Sequence, residues 1–245
     1  MSELLAQLTA DYQWLLPPFA AGLLVVITHV VFGQEVLRRG IIFIDLTIAQ
    51  VAGVGIVTAV LLGIKGGWAL QAFAVGIALL AAFGLAWAER RYPQRQEAII
   101  GSLYVVAAST VMLLLAQDPH ANEHLNRLLS GQILWLGWSD VWPVALLYAA
   151  ILLLWQLSGQ RGFYLLFTLV VTSSVQMIGL YLVFATLVLP SLSSRQLSRA
   201  WLVGILGYVM GFALSLRFDL PAGPAVVVAL AAAGLSYNAF FVRQR

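Results

Sequence analysis

Cysteine is absent from the 245 residues, and charge is scarce: 13 Lys and Arg against 10 Asp and Glu, together 9% of the chain. Without cysteine there is no disulfide, no thiolate nucleophile and no Cys-metal site. A soluble domain carries about 25% charged residues, so these few cannot cover a water-facing surface. What fills the sequence instead is apolar: 62% hydrophobic residues and a mean hydropathy of +0.94. The apolar runs are about 20 residues long, the length that carries a helix across a bilayer. A membrane barrel would show alternating segments of about ten residues. The expected fold is therefore all-α: a polytopic membrane helix bundle of about eight or nine spans, forming one transmembrane domain over residues 1–245. No room is left for a soluble domain. There is no P-loop, no Gly-x-Ser-x-Gly and no His-Glu-x-x-His, so the chain is expected not to be an enzyme and not to hydrolyse ATP itself. The pI near 9.4 reflects where basic residues anchor the helices, not a nucleic-acid partner.

The opening Met1–Gln13 holds Glu3 and Asp11 but no Lys or Arg, unlike the basic start of a signal peptide, and is expected to insert uncleaved. Apolar spans occupy Trp14–Gly33, Gly40–Ile64, Trp68–Ala88, Ala98–Ala116, Ser139–Leu157, Phe163–Pro190, Ala200–Leu216 and Pro221–Val242. The sixth run is too long for one crossing, and Gly179 interrupts it just after the polar cluster Thr172, Ser173, Ser174 and Gln176. It reads as a helix to about Met177 and a short half-helix from Gly179 to Pro190, a break that survives at membrane depth only inside protein or along a cavity. With the sixth run counted as two crossings and the N-terminus outside, Arg38, Arg39, Arg90, Arg91, Arg95, Arg161, Arg195, Arg199, Arg243 and Arg245 fall inside. Only Lys65, Arg127 and Arg217 fall outside. The positive-inside rule thus gives nine crossings, N-terminus out and C-terminus in.

Candidate chemistry is thin. Asp45 is the one carboxylate well inside a span, about five residues from the inner end of the second run, and an intramembrane carboxylate marks an ion pathway unless it serves as a structural cap. Thr47 and Gln50 share a face near it. His29 lies in the inner half of the first span, with Glu35 at its end; it reads either as a metal ligand or as a hydrogen-bonded core histidine. His120 and His124, four apart and flanked by Asp118 and Glu123, suit a divalent cation at the outer mouth or simply a solvated loop. The outer loop Gln117–Trp138 ends in an apolar stretch too short to span. After Pro190, Ser191–Arg199 is polar and basic. Pro190 is expected to end the half-helix, and Ser191, Ser193 and Ser194 to cap a short surface helix with Arg195 and Arg199 on one face.

Several segments, in order, resemble the membrane permeases of zinc/manganese-type ABC importers, the ABC-3 family. These are Arg38-Arg-Gly-Ile-Ile-Phe-Ile-Asp-Leu-Thr-Ile-Ala-Gln-Val-Ala52, Glu97-Ala-Ile-Ile-Gly101, and Leu125-Asn-Arg-Leu-Leu-Ser-Gly-Gln-Ile-Leu134 with Trp138-Ser-Asp140 after it. The most specific are Gly179-Leu-Tyr-Leu-Val-Phe-Ala-Thr-Leu-Val-Leu-Pro-Ser-Leu-Ser-Ser-Arg195 and Asp219-Leu-Pro-Ala-Gly-Pro-Ala-Val-Val-Val228. The chain departs from the family pattern at helix two, where Ala49 and Gln50 stand in place of a histidine, and in a shortened inner loop, Ser158-Gly-Gln-Arg-Gly162. The resemblance implies a cobalamin-permease-like fold in a bacterial inner membrane and a homodimer with a central pathway. It also implies import of a divalent transition metal, zinc first and then manganese or iron, by alternating access. Asp45, Thr47 and Gln50 would line the pathway, and His120 and His124 would receive the ion. An extracytoplasmic metal-binding protein would dock on Gln117–Trp138. A separate ATPase, carrying ATP and Mg, would dock near Arg90–Glu97 and at Ser194, Arg195 and Arg199; this chain would hold no cofactor of its own. The competing expectation is a stand-alone proton- or sodium-coupled transporter using Asp45.

Overall fold

The computed structural model describes residues 13–116 and 133–241. Among these, nine α-helices and four short 3-10 turns account for nearly the whole backbone, and there is no strand. The helices are α1 Leu16–Arg39, α2 Ile44–Leu61, α3 Gly67–Arg91, α4 Gln96–Leu114, α5 Trp138–Ser158, α6 Phe163–Ile178, α7 Leu180–Ser193, α8 Leu197–Phe218 and α9 Ala222–Phe241. Seven are long and apolar enough to cross a membrane; α6 and α7, with 16 and 14 residues, are shorter. The chain is a multi-pass membrane protein.

Boundaries reflect local chemistry. Pro17 and Pro18 sit in the first turn of α1, where a missing N–H costs nothing. Gly40, at φ 71°, ends α1 in the left-handed conformation, with the Gly40 and Ile41 N–H groups capping the Leu37 and Val36 carbonyls. That cap delays α2 until Ile44, four residues later than the apolar run suggests.

The helices fall into two groups. In one, α1, α7, α8 and α9 pack together; in the other, α2 packs against α3 and α4, and α6 lies between the groups. Close approach depends on missing side chains. A Cβ at Gly33 would overlap the Leu187 carbonyl of α7, and one at Gly211 would overlap Val226 of α9. In a bilayer, where lipid tails are as apolar as leucine, such small-residue seams are what let helices associate.

Gly179 breaks the sixth apolar run as its position suggests. Its backbone, φ 82° and ψ 160°, is a conformation essentially reserved for glycine. The Gly179 N–H closes α6 on Val175, and the Gly179 carbonyl opens α7 by accepting from Val183. The two halves return to the same end of the bundle. Phe163, opening α6, lies 4.4 Å beneath the Arg39 guanidinium, and the Ser194 carbonyl, just past α7, accepts from Gln34 at 2.8 Å. At 1.5 Å per residue the halves are about 24 and 21 Å long, against a hydrocarbon core of about 30 Å. This hairpin leaves Arg38, Arg39, Arg90, Arg91, Arg95, Arg195 and Arg199 at one end, the arginine-rich end, and Lys65 and Arg217 at the other.

The polar residues of α6 are satisfied locally. Thr168, Thr172 and Ser173 each donate to the carbonyl four residues back, at 2.7 Å, and the Ser174 hydroxyl lies within reach of both the Val170 carbonyl and His29, so no hydroxyl proton is stranded among them.

One expectation fails at Pro190. The helix does not stop there but continues to Ser193, with Pro190 inside it. Gly204 of α8 leaves room for the ring, and a membrane helix tolerates the lost N–H where neighbours fill in around it. Ser191 and Ser193 therefore do not cap a new helix; their hydroxyls donate to the Val30 and Leu189 carbonyls.

Candidate functional site

Asp45 is the second residue of α2, a full turn closer to the helix start than the sequence suggests, yet it is completely buried. Neither of its carboxylate oxygens has a hydrogen-bond partner from another helix or side chain; the nearest donors are the Asp45 and Leu46 backbone N–H groups of its own turn. Its first-turn position places it among the helix N–H groups that lack internal acceptors, where negative charge is favoured. Among the described residues the only other unpartnered buried side-chain oxygen is Oε2 of Glu97. A buried carboxylate without a partner is the costliest kind of polar group to keep in a membrane protein, and it is where an ion path is sought first.

Thr47 is buried on another side of α2, its hydroxyl 3.0 Å from the Phe43 carbonyl and 3.1 Å from that of Ile100, tying α2 to α4. Gln50 is half-buried a turn deeper. His29 belongs to the other helix group: Nδ1 donates to the Val25 carbonyl at 3.0 Å, leaving Nε2 to accept from Ser174 at 3.0 Å, with the Tyr148 ring edge-on at 6.2 Å. The fold thus gathers Asp45, Thr47 and Gln50 on one helix and holds His29 apart in a separate polar knot. No group of three or more His, Cys, Asp or Glu side chains that could hold a metal ion occurs among the described residues. His120 and His124, with Asp118 and Glu123, lie outside the described residues.

At the arginine-rich end, the fold assembles a cluster that the order of residues along the chain does not announce. Arg39 donates to Glu35 at 2.6 Å, to Glu89 at 2.8 Å and to the Gln160 carbonyl at 3.1 Å while stacking on Phe163; Arg38 also donates to Glu35. Beside it the Gln96 amide donates to the Tyr164 hydroxyl. The one available signal was Glu35 lying three and four residues before the two arginines, the spacing of a helical ion pair.

The model of the ABC 3 transport family matches residues 11–165 and 160–240, most of the chain. This chain belongs to the ABC 3 transport family. Within an ABC 3 system it is the membrane subunit, and the ATP-hydrolysing part lies in a separate subunit. The chain is also similar in fold to a solved structure described as PsaBC from Streptococcus pneumoniae in complex with Fab. That likeness covers 100% of both chains, with a TM-score of 0.74 and 18% identity.

For an ABC 3 membrane subunit the segment after α7 takes on weight, and its geometry differs from the expected short helix. Ser194 is extended, at φ −154° and ψ 138°, and its hydroxyl accepts from the Gln196 N–H at 3.1 Å. Arg195 stands in this connector, exposed, while Arg199 falls in the first turn of α8 and reaches the Tyr237 hydroxyl at 3.4 Å. The two arginines therefore do not share a face of a separate surface helix. The reason is chain length: once α7 runs on to Ser193 and α8 starts at Leu197, only Ser194–Gln196 remain between them.

Proposed function

We propose that this chain is the permease of an ABC importer for a divalent transition metal, of the zinc, manganese and iron set. The observation that supports the reading most is Asp45, fully buried with both carboxylate oxygens unpartnered by any other helix or side chain, in an ABC 3 membrane subunit. A cation passing beside it would supply the missing partner. Gln50 adds an amide oxygen on the same helix, Thr47 joins only if its hydroxyl leaves the α4 carbonyl it now bonds, and two copies related by a two-fold axis would double the set around a shared pathway. His29 enters only if Ser174 turns away from Nε2. The arginine-rich end faces the cytoplasm of a bacterial inner membrane by the positive-inside rule, with the N-terminus outside. A separate ATPase, which binds ATP and Mg, docks near Arg90–Glu97 and on Ser194, Arg195 and Arg199. An extracytoplasmic metal-binding protein delivers the ion over Gln117–Trp138, where His120 and His124 receive it.

The test is co-purification of the tagged permease with its ATPase, and then ATP hydrolysis in liposomes with and without the metal-loaded binding protein. Metal-dependent hydrolysis is expected, with none from the permease alone. Ion uptake by the lone permease, driven by a proton or sodium gradient, would instead establish a secondary transporter that uses Asp45.

A further inference from the structure

At the arginine-rich end, α5 and α8 both pack on α1, and a crevice of about 290 Å³ opens between them. Val31, Gln34, Glu35 and Arg38 of α1 form its floor, with Trp155 of α5 and Leu197 of α8 as its walls. None of the lining comes from α2, the helix that carries Asp45.

Arg38 is held there by one edge. Its Nε and one terminal nitrogen donate to the two Glu35 oxygens at 2.8 and 2.6 Å, while the side chain stays 53% exposed. A guanidinium carries its five N–H groups in a fixed plane, so the opposite edge keeps donors that no described residue takes. Glu35 does not cancel the charge, because the same carboxylate also accepts from Arg39 at 2.6 Å. One carboxylate between two guanidiniums leaves a net positive charge, and no other acid lines the crevice. Gln34 donates to the Ser194 carbonyl at 2.8 Å, which brings the exposed Arg195 of the α7–α8 connector near the rim. Trp155 packs on Phe32 at 5.1 Å and adds an indole N–H with no acceptor among the described residues. A half-engaged arginine with a second N–H donor beside it suits a phosphodiester.

Beyond this polar head the floor continues inward as an apolar track. Ile27, Val31, Gln34 and Arg38 are four, three and four residues apart and so share one face of α1. Ile27 is half-exposed, and Trp201 of α8 lies against it, its indole N–H donating to the Ile27 carbonyl at 3.1 Å. From Arg38 to Ile27 the face runs about 16 Å at about 1.5 Å per residue. That is about half of a hydrocarbon core about 30 Å thick, the depth of one leaflet. Ligand pockets start at about 300 Å³, so the crevice takes a headgroup and leaves the chains to the track. A charged head above an apolar strip one leaflet deep matches a lipid, not a free anion or a peptide.

We propose that this crevice binds one anionic phospholipid of the cytoplasmic leaflet. The free edge of Arg38 and the Trp155 N–H take its phosphate oxygens, and an acyl chain follows Val31 and Ile27 against Trp201. The lipid would bridge α1, α5 and α8 beside the α7–α8 connector. The choice of leaflet rests on the proposed orientation; the site itself does not depend on what is transported.

The test uses the full chain, solubilised in detergent and stripped of lipid. It is titrated with dioleoyl phosphatidylglycerol or dioleoyl phosphatidylcholine, and bound lipid is counted by native mass spectrometry. The first phosphatidylglycerol is expected to bind at least about tenfold more tightly than phosphatidylcholine. Arg38→Gln should weaken it about fivefold, whereas Arg91→Gln, which removes the same charge at the same end outside the crevice, should change it less than about twofold. Val31→Phe keeps every arginine and fills the floor, and it should weaken binding as Arg38→Gln does; the arginine pair decides the question without it if that variant does not fold. Equal binding of the two lipids, or equal effects of Arg38→Gln and Arg91→Gln, would reduce Arg38 to a general surface charge and overturn the site. Displacement of phosphatidylglycerol by millimolar inorganic phosphate would assign the crevice to the free anion instead. The lipid should also be retained in the permease purified with its ATPase. Its exclusion there would mean that the ATPase covers the crevice, and the proposal would fall. No metal enters these measurements, so their outcome is separate from that of the metal-import reading.

Discussion

Arg39 donates a hydrogen bond to Glu89 at 2.8 Å, joining the last residue of α1 to the last turn of α3. The Arg39 side chain is only 14% exposed and also serves Glu35, the Gln160 carbonyl and the face of Phe163. One guanidinium therefore fastens the two helix groups and the α5–α6 turn at the arginine-rich end. Lysine, with a single ammonium and no plane to stack, cannot meet these partners at once.

Arg39→Lys and Arg39→Ala should both destabilise the protein, the alanine variant more. Without Arg39 the Glu89 carboxylate loses its arginine and Glu35 keeps Arg38 alone, a loss of about 1–3 kcal/mol. The melting midpoint of the detergent-solubilised protein is expected to fall by about 5–10 °C. A midpoint unchanged in Arg39→Ala would show the cluster to be solvated and energetically idle.

Glycine substitutions should separate by what a methyl group would meet. Gly33→Ala drives a Cβ into the Leu187 backbone of α7, whereas a Cβ at Gly101 of α4 meets nothing within 4 Å. Gly101→Ala is expected to be neutral or to stabilise by up to about 1 kcal/mol through helix propensity. Gly33→Ala should lower both yield and thermal midpoint. Equal behaviour of the two in a melting assay would contradict the α1–α7 seam.

Gly179→Ala tests the break itself. The φ 82°, ψ 160° backbone costs an L-residue about 1–3 kcal/mol, and relief of that strain favours joining α6 to α7. The expected outcome is a protein that inserts but loses transport activity in the assembled complex. Full metal-dependent hydrolysis and uptake in Gly179→Ala would make the break dispensable.

Asp45→Asn keeps the shape and removes the charge. Because no other helix or side chain bonds either carboxylate oxygen, the amide should leave stability unchanged or slightly improved while metal uptake falls at least about tenfold. A destabilised variant with normal uptake per folded molecule would make Asp45 a structural residue.

Much of the architecture was legible in the residues. The apolar runs set the number of helices because burying a bare backbone in lipid leaves helix as the open solution for segments of that length. The split of the arginines required an even number of passes through the sixth run, and Gly179, with its freedom to adopt positive φ, was where the chain could turn. Pro190 would end an isolated helix, but here Gly204 and the surrounding helices accommodate its ring and the helix continues.

The sequence by itself determined that this is a multi-span helical membrane protein of ABC 3 type with one embedded carboxylate, because composition, run length and ordered motifs are properties of the chain in one dimension. It could not determine which polar residues meet. His29 and Asp45 read alike as lone embedded groups, and only packing decided that one is satisfied by Val25 and Ser174 while the other is left with no partner beyond its own turn. The Arg39 cluster joins positions 35, 39, 89 and 160, and the crevice joins α1, α5 and α8. Each depends on how deeply separate helices are set against one another, and that depth is fixed by side-chain and glycine contacts spread over the whole bundle.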